Sequence, residues 1–233
     1  MNFGREKPVT LFSSEGKLGQ CDNALRAAVN GSLSIGASAA DGAVLMSFKD
    51  VPPLVIREEV RKVFKICDTI GCTYSGLQPD CRIQVNIGCQ IAEEYYDVYG
   101  RYPDVDVFTA HFSSVVQEYT QKSGYRPFGT LMIFAGPVRG VPRLYQVDPS
   151  GSYQTADVCA SGVGYSDARK FVERRLEGLD DNIVNCVSSI REFAGKEVRA
   201  KDLDIGVYYK TENIFKAFTL DEIEEVFDSL SKS

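Results

Sequence analysis

Strand-like and helix-like periodicities do not alternate along this 233-residue chain; they come in blocks. Residues 32–39, "SLSIGASA", and 43–48, "AVLMSF", read as two strands joined at Ala40-Asp41-Gly42, where Asp-Gly is a strong hairpin signal. More strand candidates follow at 60–67 and 70–75. A long helix then opens at Pro79-Asp80, a proline and an acid suited to a first turn. Its Ile83, Ile87, Ile91 and Tyr95 form a row, with Val85, Cys89 and Tyr96 beside it. A second helix, over about 105–122, carries Phe108, Phe112, Val115 and Tyr119 on one face. Strands return at 128–137, at 142–148 after a turn at Arg139-Gly140, and at 152–160. Helices at about 166–177 and 180–194 and strands at about 203–209 and 214–218 complete the pattern. A last helix starts at Thr219-Leu-Asp-Glu222, a capping box, with Ile223, Val226, Phe227 and Leu230 as its stripe. Strand blocks separated by helix pairs predict a layered α+β sandwich and argue against a doubly wound parallel sheet.

Ahead of the first strand, residues 16–30 repeat Leu18, Cys21, Ala24, Leu25 and Ala28 at three- and four-residue steps. That spacing predicts an amphipathic helix ending at Asn30-Gly31 in a left-handed cap. With no linker, repeat or low-complexity tract, the 233 residues are expected to share one core. A net charge of −6 gives no electrostatic case for nucleic acid or an anionic membrane. The strongest apolar run, residues 129–138, is too short to span a bilayer, and the N-terminus shows no secretory h-region. Seven cysteines without a C-x-x-C pair argue against zinc and a disulfide framework, and fit a reducing compartment. No metal and no cofactor is called for.

The candidate chemical residues have ordinary readings. His111, the single histidine, sits beside a helix stripe with no ligand partners nearby and is expected to pack at the helix edge. Gly162-Val163-Gly164 lacks the third glycine of a dinucleotide loop and carries Asp167 there, so a tight strand-to-helix turn is the better account. Glu93-Glu94 and Glu224-Glu225 are adjacent helical acids that point about 100° apart and cannot act as an acid/base pair. Lys62 stands in a mixed-charge stretch and by pattern belongs to a solvated strand face. Ser32 follows glycine at the head of a strand. A hydroxyl nucleophile there would need its own α-amino group as base, freed by cleavage of the Gly31–Ser32 bond.

Taken together, several segments resemble proteasome alpha-type subunits. "TLFSSEGKLGQCDNALRAAVNGS" is similar to that family's N-terminal signature at Thr10, Phe12, Ser13, Gly16, Gln20, Ala24, Gly31 and Ser32. Tyr74-Ser75-Gly76 with Asp80 and Arg82 resembles a second motif. "QEYTQKSGYRPFG" (117–129), "DPSGSY" (148–153), "GVGYSDARKFVERR" (162–175) and "DLDIGVY" (202–208) continue the likeness from about residue 10 to 230. The Q-E-Y-T-Q and R-P-F-G segments look most like the family's type-two branch.

The resemblance implies a four-layer αββα sandwich of the N-terminal-nucleophile hydrolase class. It implies one domain over 1–233, with a gate segment (1–15), an N-terminal helix (16–30), a sandwich core (32–218) and a C-terminal helix (219–233). It further implies a non-catalytic place in the seven-membered alpha ring of the 20S core particle, a threonine-type protease of ubiquitin-dependent protein degradation in cytoplasm and nucleus. Partners would be other alpha subunits laterally, beta subunits below and regulatory particles or activators above. In the catalytic beta relatives a threonine opens the first strand, supported by an aspartate and a lysine. Those places fall here on Ser32, Phe48 and Lys62. Phe48 can neither accept charge nor hydrogen-bond, so Ser32 is expected to be inert and no residue catalytic. In alpha subunits the lysine lines a pocket for the C-terminal carboxylate of activator tails, which assigns Lys62 that role. The gate segment departs from the family: Arg5, Glu6 and Lys7 replace Tyr-Asp-Arg, Ser14 replaces proline and Asn23 replaces tyrosine. This subunit is therefore expected to contribute little to a stable open gate. Two rival readings are a self-processing hydrolase using Ser32 and a stand-alone binding domain.

Overall fold

A computed structural model of the chain describes residues 11–231. Ten strands form two antiparallel five-stranded sheets. The first has the order β10 (Ile214–Ala217), β9 (Leu203–Tyr209), β2 (Gly42–Phe48), β1 (Ser34–Ser38), β8 (Val158–Ser161). The second runs β3 (Val63–Lys65), β4 (Gly71–Gly76), β5 (Thr130–Val138), β6 (Val141–Val147), β7 (Tyr153–Thr155). The β1–β2 hairpin closes where Asp-Gly predicts it, with the Ala39 N–H donating to the Gly42 carbonyl at 2.8 Å. At the β5–β6 turn Arg139 and Gly140 both take positive φ, 50° and 75°, the conformation whose twist matches a tight hairpin.

Every residue of β2 is buried, because both of its faces are covered. Alternate side chains go to different cores. Val44 and Met46 pack with Val172, Ile183, Val187 and Ile190 of α4 (Tyr165–Glu173) and α5 (Leu179–Phe193). Ala43 and Leu45 face the second sheet, clustering with its Ile133, Ala135 and Leu144 and with Phe215 of β10. On that sheet's far side lie α2 (Gln78–Tyr99) and α3 (Val105–Gln121), where Phe134 meets Phe108 and Phe112 edge-on at 5.1 and 4.9 Å. Three apolar cores thus separate four layers, αββα. The last helix, α6 (Leu220–Ser231), opens on the expected capping box: the Glu222 carboxylate accepts from the Thr219 N–H at 2.7 Å.

Four expectations need correction. The first helix, α1 (Gly19–Val29), ends with Asn30 right-handed at φ −81°, so there is no left-handed cap. Gly31 is required for space: a Cβ there would lie 2.1 Å from the Gly76 amide nitrogen. On α2 the buried line is Cys81, Gln84, Gly88 and Ala92, while Ile83 is half exposed. Small residues let the helix approach the core closely, and the larger isoleucines fall on its flanks. His111 is exposed and does not pack at the helix edge. Residues 152–160 are not one strand: β7 edges the second sheet, and the chain crosses at Ala156-Asp157 to place β8 at the edge of the first. Five cysteines, 67, 72, 81, 159 and 186, are buried, as their apolar settings predict. No helix among the described residues is long and apolar enough to cross a membrane.

Candidate functional site

Ser32 lies on the short link between α1 and β1, and glycines fix its course. The close approach of Gly31 to Gly76 seats the end of α1 against the end of β4, with Ala28 fully buried beside them. The Gly31 carbonyl accepts a hydrogen bond from the Val163 N–H at 2.9 Å. Gly162 takes φ +99°, and a Cβ there would come within 2.5 Å of the Ser32 carbonyl oxygen. The Gly-Val-Gly segment is therefore the strand-to-helix turn expected between β8 and α4, and it also clamps the Ser32 link.

Lys62 enters β3 with its backbone held on both sides. Its N–H donates to Asp204 Oδ2 at 2.6 Å, the Val63 N–H donates to the same oxygen at 2.9 Å, and Thr73 Oγ1 donates to the Lys62 carbonyl at 3.0 Å. The side chain turns inward and is 5% exposed, so the solvated-face reading drawn from pattern is overturned. Its Nζ donates to Ser32 Oγ and stands 4.8 Å from the centre of the Tyr74 ring. Burial pulls the ammonium down to about 8, against the opposing pull of nearby acids including Asp204 and Asp50. Burial also raises the Tyr74 hydroxyl and the Cys81 thiol, so both stay neutral near pH 7. Among the described residues no carboxylate lies within ion-pair distance of Nζ.

This geometry brings into contact Ser32 and Lys62, two residues that the resemblance singles out. The Ser32 nitrogen is part of a peptide bond, so it offers no α-amino base. Lys62 is mostly protonated below its midpoint and donates to the hydroxyl, which leaves Ser32 Oγ an acceptor. Phe48, at the end of β2, is 5% exposed and packs in the apolar core with Val44 and Met46.

A family model described as "Proteasome subunit" matches residues 28–207. The chain belongs to the proteasome subunit family. It is 36% identical over 221 residues to "Proteasome subunit alpha type-2-B" of Arabidopsis thaliana, covering 93% of this chain and 94% of that protein. It is 34% identical over 226 residues to "Proteasome subunit alpha type-2" of Oryza sativa subsp. japonica, covering 95% and 96%. The protein of the same name from Trypanosoma brucei brucei is 31% identical over 226 residues, 95% and 97% of the two chains. These likenesses support a structural alpha-type subunit, and the αββα layering is the fold of the N-terminal-nucleophile class.

The family signature residues sit on and before α1. Phe12, Ser14, Gly16, Gln20 and Asn23 are exposed, and Ala24 is half-buried. Gly16 takes φ +73° in a tight turn closed by the Gly16 N–H donating to the Ser13 carbonyl at 2.9 Å. Arg5, Glu6 and Lys7 lie outside the described residues.

Two groups escaped sequence reasoning. Asp204, buried at 2%, anchors the backbone of Lys62 and Val63 from β9. An acid inside the apolar strand "LDIGV" was the available signal. Asp80, read as a helix-start acid and as part of the second family-like motif but given no partner, takes a bidentate pair from Arg126 at 2.6 and 2.9 Å and a third bond from the Gly129 N–H at 2.8 Å. Burial alone would raise its carboxyl, but these donors outweigh it and hold the group below its ordinary value.

Proposed function

We propose that this chain is a non-catalytic wall and gate subunit in the alpha ring of the 20S core particle. It sits between other alpha subunits, above beta subunits and below regulatory particles, in the ubiquitin-dependent degradation of proteins in cytoplasm and nucleus. The cutting is done by threonine-bearing chains of the same particle. One observation carries the reading: the segment ahead of the first strand is built into the core, with Ala28 fully buried and Gly31 tight against Gly76, and the Ser32 hydroxyl accepts from Lys62. Apolar side chains left open to solvent, Leu54 at 99%, Val98 at 72% and Ile56 at 67%, support lateral packing against neighbours.

Lys62 is the acceptor for activator tails in this reading. A buried ammonium without a carboxylate partner is costly, and a terminal carboxylate supplies what it lacks. The N-terminal segment, including Arg5, Glu6 and Lys7, contributes little to holding the gate open.

Native mass spectrometry of the purified complex, with intact mass of this chain after dissociation, tests the proposal. A barrel-sized assembly holding a chain that still carries residues ahead of Ser32 is the expected result. A monomer, or a chain beginning at Ser32 with peptidase turnover of its own, refutes it.

A further inference from the structure

The ammonium of Lys62 has three N–H donors, and among the described residues its hydrogen-bond acceptor is a single hydroxyl, that of Ser32. The Tyr74 ring faces it from β4 at 4.8 Å and supplies a weak cation–π contact. We propose that Ser32 is a positioning residue for Lys62: its hydroxyl keeps the buried ammonium charged and oriented until an incoming carboxylate takes the remaining donors. The carboxylate's role rests on the tail-docking reading above, whereas the Ser32–Lys62 contact does not.

The surroundings isolate this pair. Asp204, from β9, spends one oxygen on two backbone N–H groups and turns the other toward Arg61 at 3.9 Å. Asp50, after β2, is paired with Lys196 at 2.7 Å. Cys81 of α2 and Tyr74 of β4 are raised by burial and stay neutral across the physiological range. The proton on Lys62 is then the one that changes between pH 6 and 9 at this spot, with its midpoint near 8. The link carrying Ser32 cannot swing away, because Gly31 is jammed against Gly76 and held by Val163. Removing the hydroxyl leaves a buried charge without an acceptor, which favours the neutral amine. The place that serves as nucleophile in cutting relatives would thus act here as the lysine's holder.

Two measurements on three forms test this. Lys62 Cε of the isotope-labelled full chain, assigned by its loss in Lys62→Arg, is titrated by NMR from pH 6 to 10 in wild type, Ser32→Ala and Ser32→Thr. The same forms, assembled into the particle, are tested across that range for binding of an activator tail peptide with a free C-terminal carboxylate, and of its C-terminal amide. Ser32→Ala should lower the Lys62 midpoint by about one unit, the share of one charge-assisted hydrogen bond. It should weaken the free-acid peptide about threefold at pH 7.5, the ratio of charged fractions, with the gap closing toward pH 6. Ser32→Thr should restore both, and the amide should ignore both substitutions. A midpoint that Ser32→Ala leaves unmoved overturns the positioning role. A midpoint that moves while peptide affinity stays flat overturns the link to docking, and the proposal with it. Equal binding of acid and amide by the wild-type particle overturns the docking reading itself.

Discussion

Replacing Gly31 with alanine tests whether α1 is part of the core or an appendage. The new Cβ would sit 2.1 Å from the Gly76 nitrogen, 2.8 Å from its Cα and 3.1 Å from the Ala28 carbonyl oxygen. Non-bonded heavy atoms settle at about 3.5 Å, so a gap of about 1.4 Å must open between two backbone segments. Neither segment has a side chain to rotate aside. Gly76 cannot retreat, since its own free direction points at the Gly129 carbonyl oxygen, 2.2 Å from where a Cβ would lie. The cost is overpacking, about 1–3 kcal/mol and toward the upper end because backbone must shift. If α1 lifts instead, Ala28 loses its burial and the helix loses its seat on β4 and β5. Equilibrium urea unfolding gives the energy, and hydrogen exchange shows where it is lost, with α1 expected to exchange faster than the sheets. Gly19→Ala is the control: its Cβ meets nothing within 4 Å at the first residue of the same helix. That variant should be neutral or stabilised by up to about 1 kcal/mol. Gly31→Ala unfolding within about 0.5 kcal/mol of wild type, with unchanged exchange in α1, would refute the reasoning.

Lys62→Ala in the assembled particle should weaken binding of free-acid activator tails by about tenfold or more, the loss of a charge-assisted hydrogen bond. Unchanged peptide titration curves would remove Lys62 from the docking site. Asp80→Asn should destabilise the fold by about 1–2 kcal/mol, a modest figure because Arg126 is largely solvent-facing. Since the Asp80 carboxyl is held below its ordinary value, its contribution is present above about pH 4 and is lost as pH falls through the folded-state midpoint. Urea midpoints between pH 7 and 3 should therefore fall more steeply in wild type than in Asp80→Asn. Parallel slopes would show that the ion pair is not coupled to folding.

The block pattern of strands and helix pairs was legible because burial imposes it locally. In β2 a run of seven apolar or small residues announces a strand covered on both faces, and the Asp-Gly turn fixes its partner. The face of α2 was not legible. Its isoleucine row satisfies helical periodicity as well as the true line does. The true line is set by proximity: a Cβ on Gly88 would already lie 3.2 Å from Ile66 and 3.3 Å from Phe108. Residues 152–160 keep strand propensity throughout, and only the gap between two sheets explains why they divide. The site shows the same limit. Lys62 in its charged stretch looks solvated, and what turns it inward is Asp204, 142 residues further along. No local pattern carries a contact over that distance. The geometry alone shows the inward direction of Lys62.

The wedge of Gly31 against Gly76 has a consequence for how such a chain could change over time. A free α-amino base at Ser32 would require removal of everything before the first strand. Here the shed piece would take Ala28 with it and uncover the backbone at Gly76 where α1 now sits. Maturation and integrity are therefore in conflict. Any route to a free amino group at Ser32 would demand a rebuilt roof over that edge.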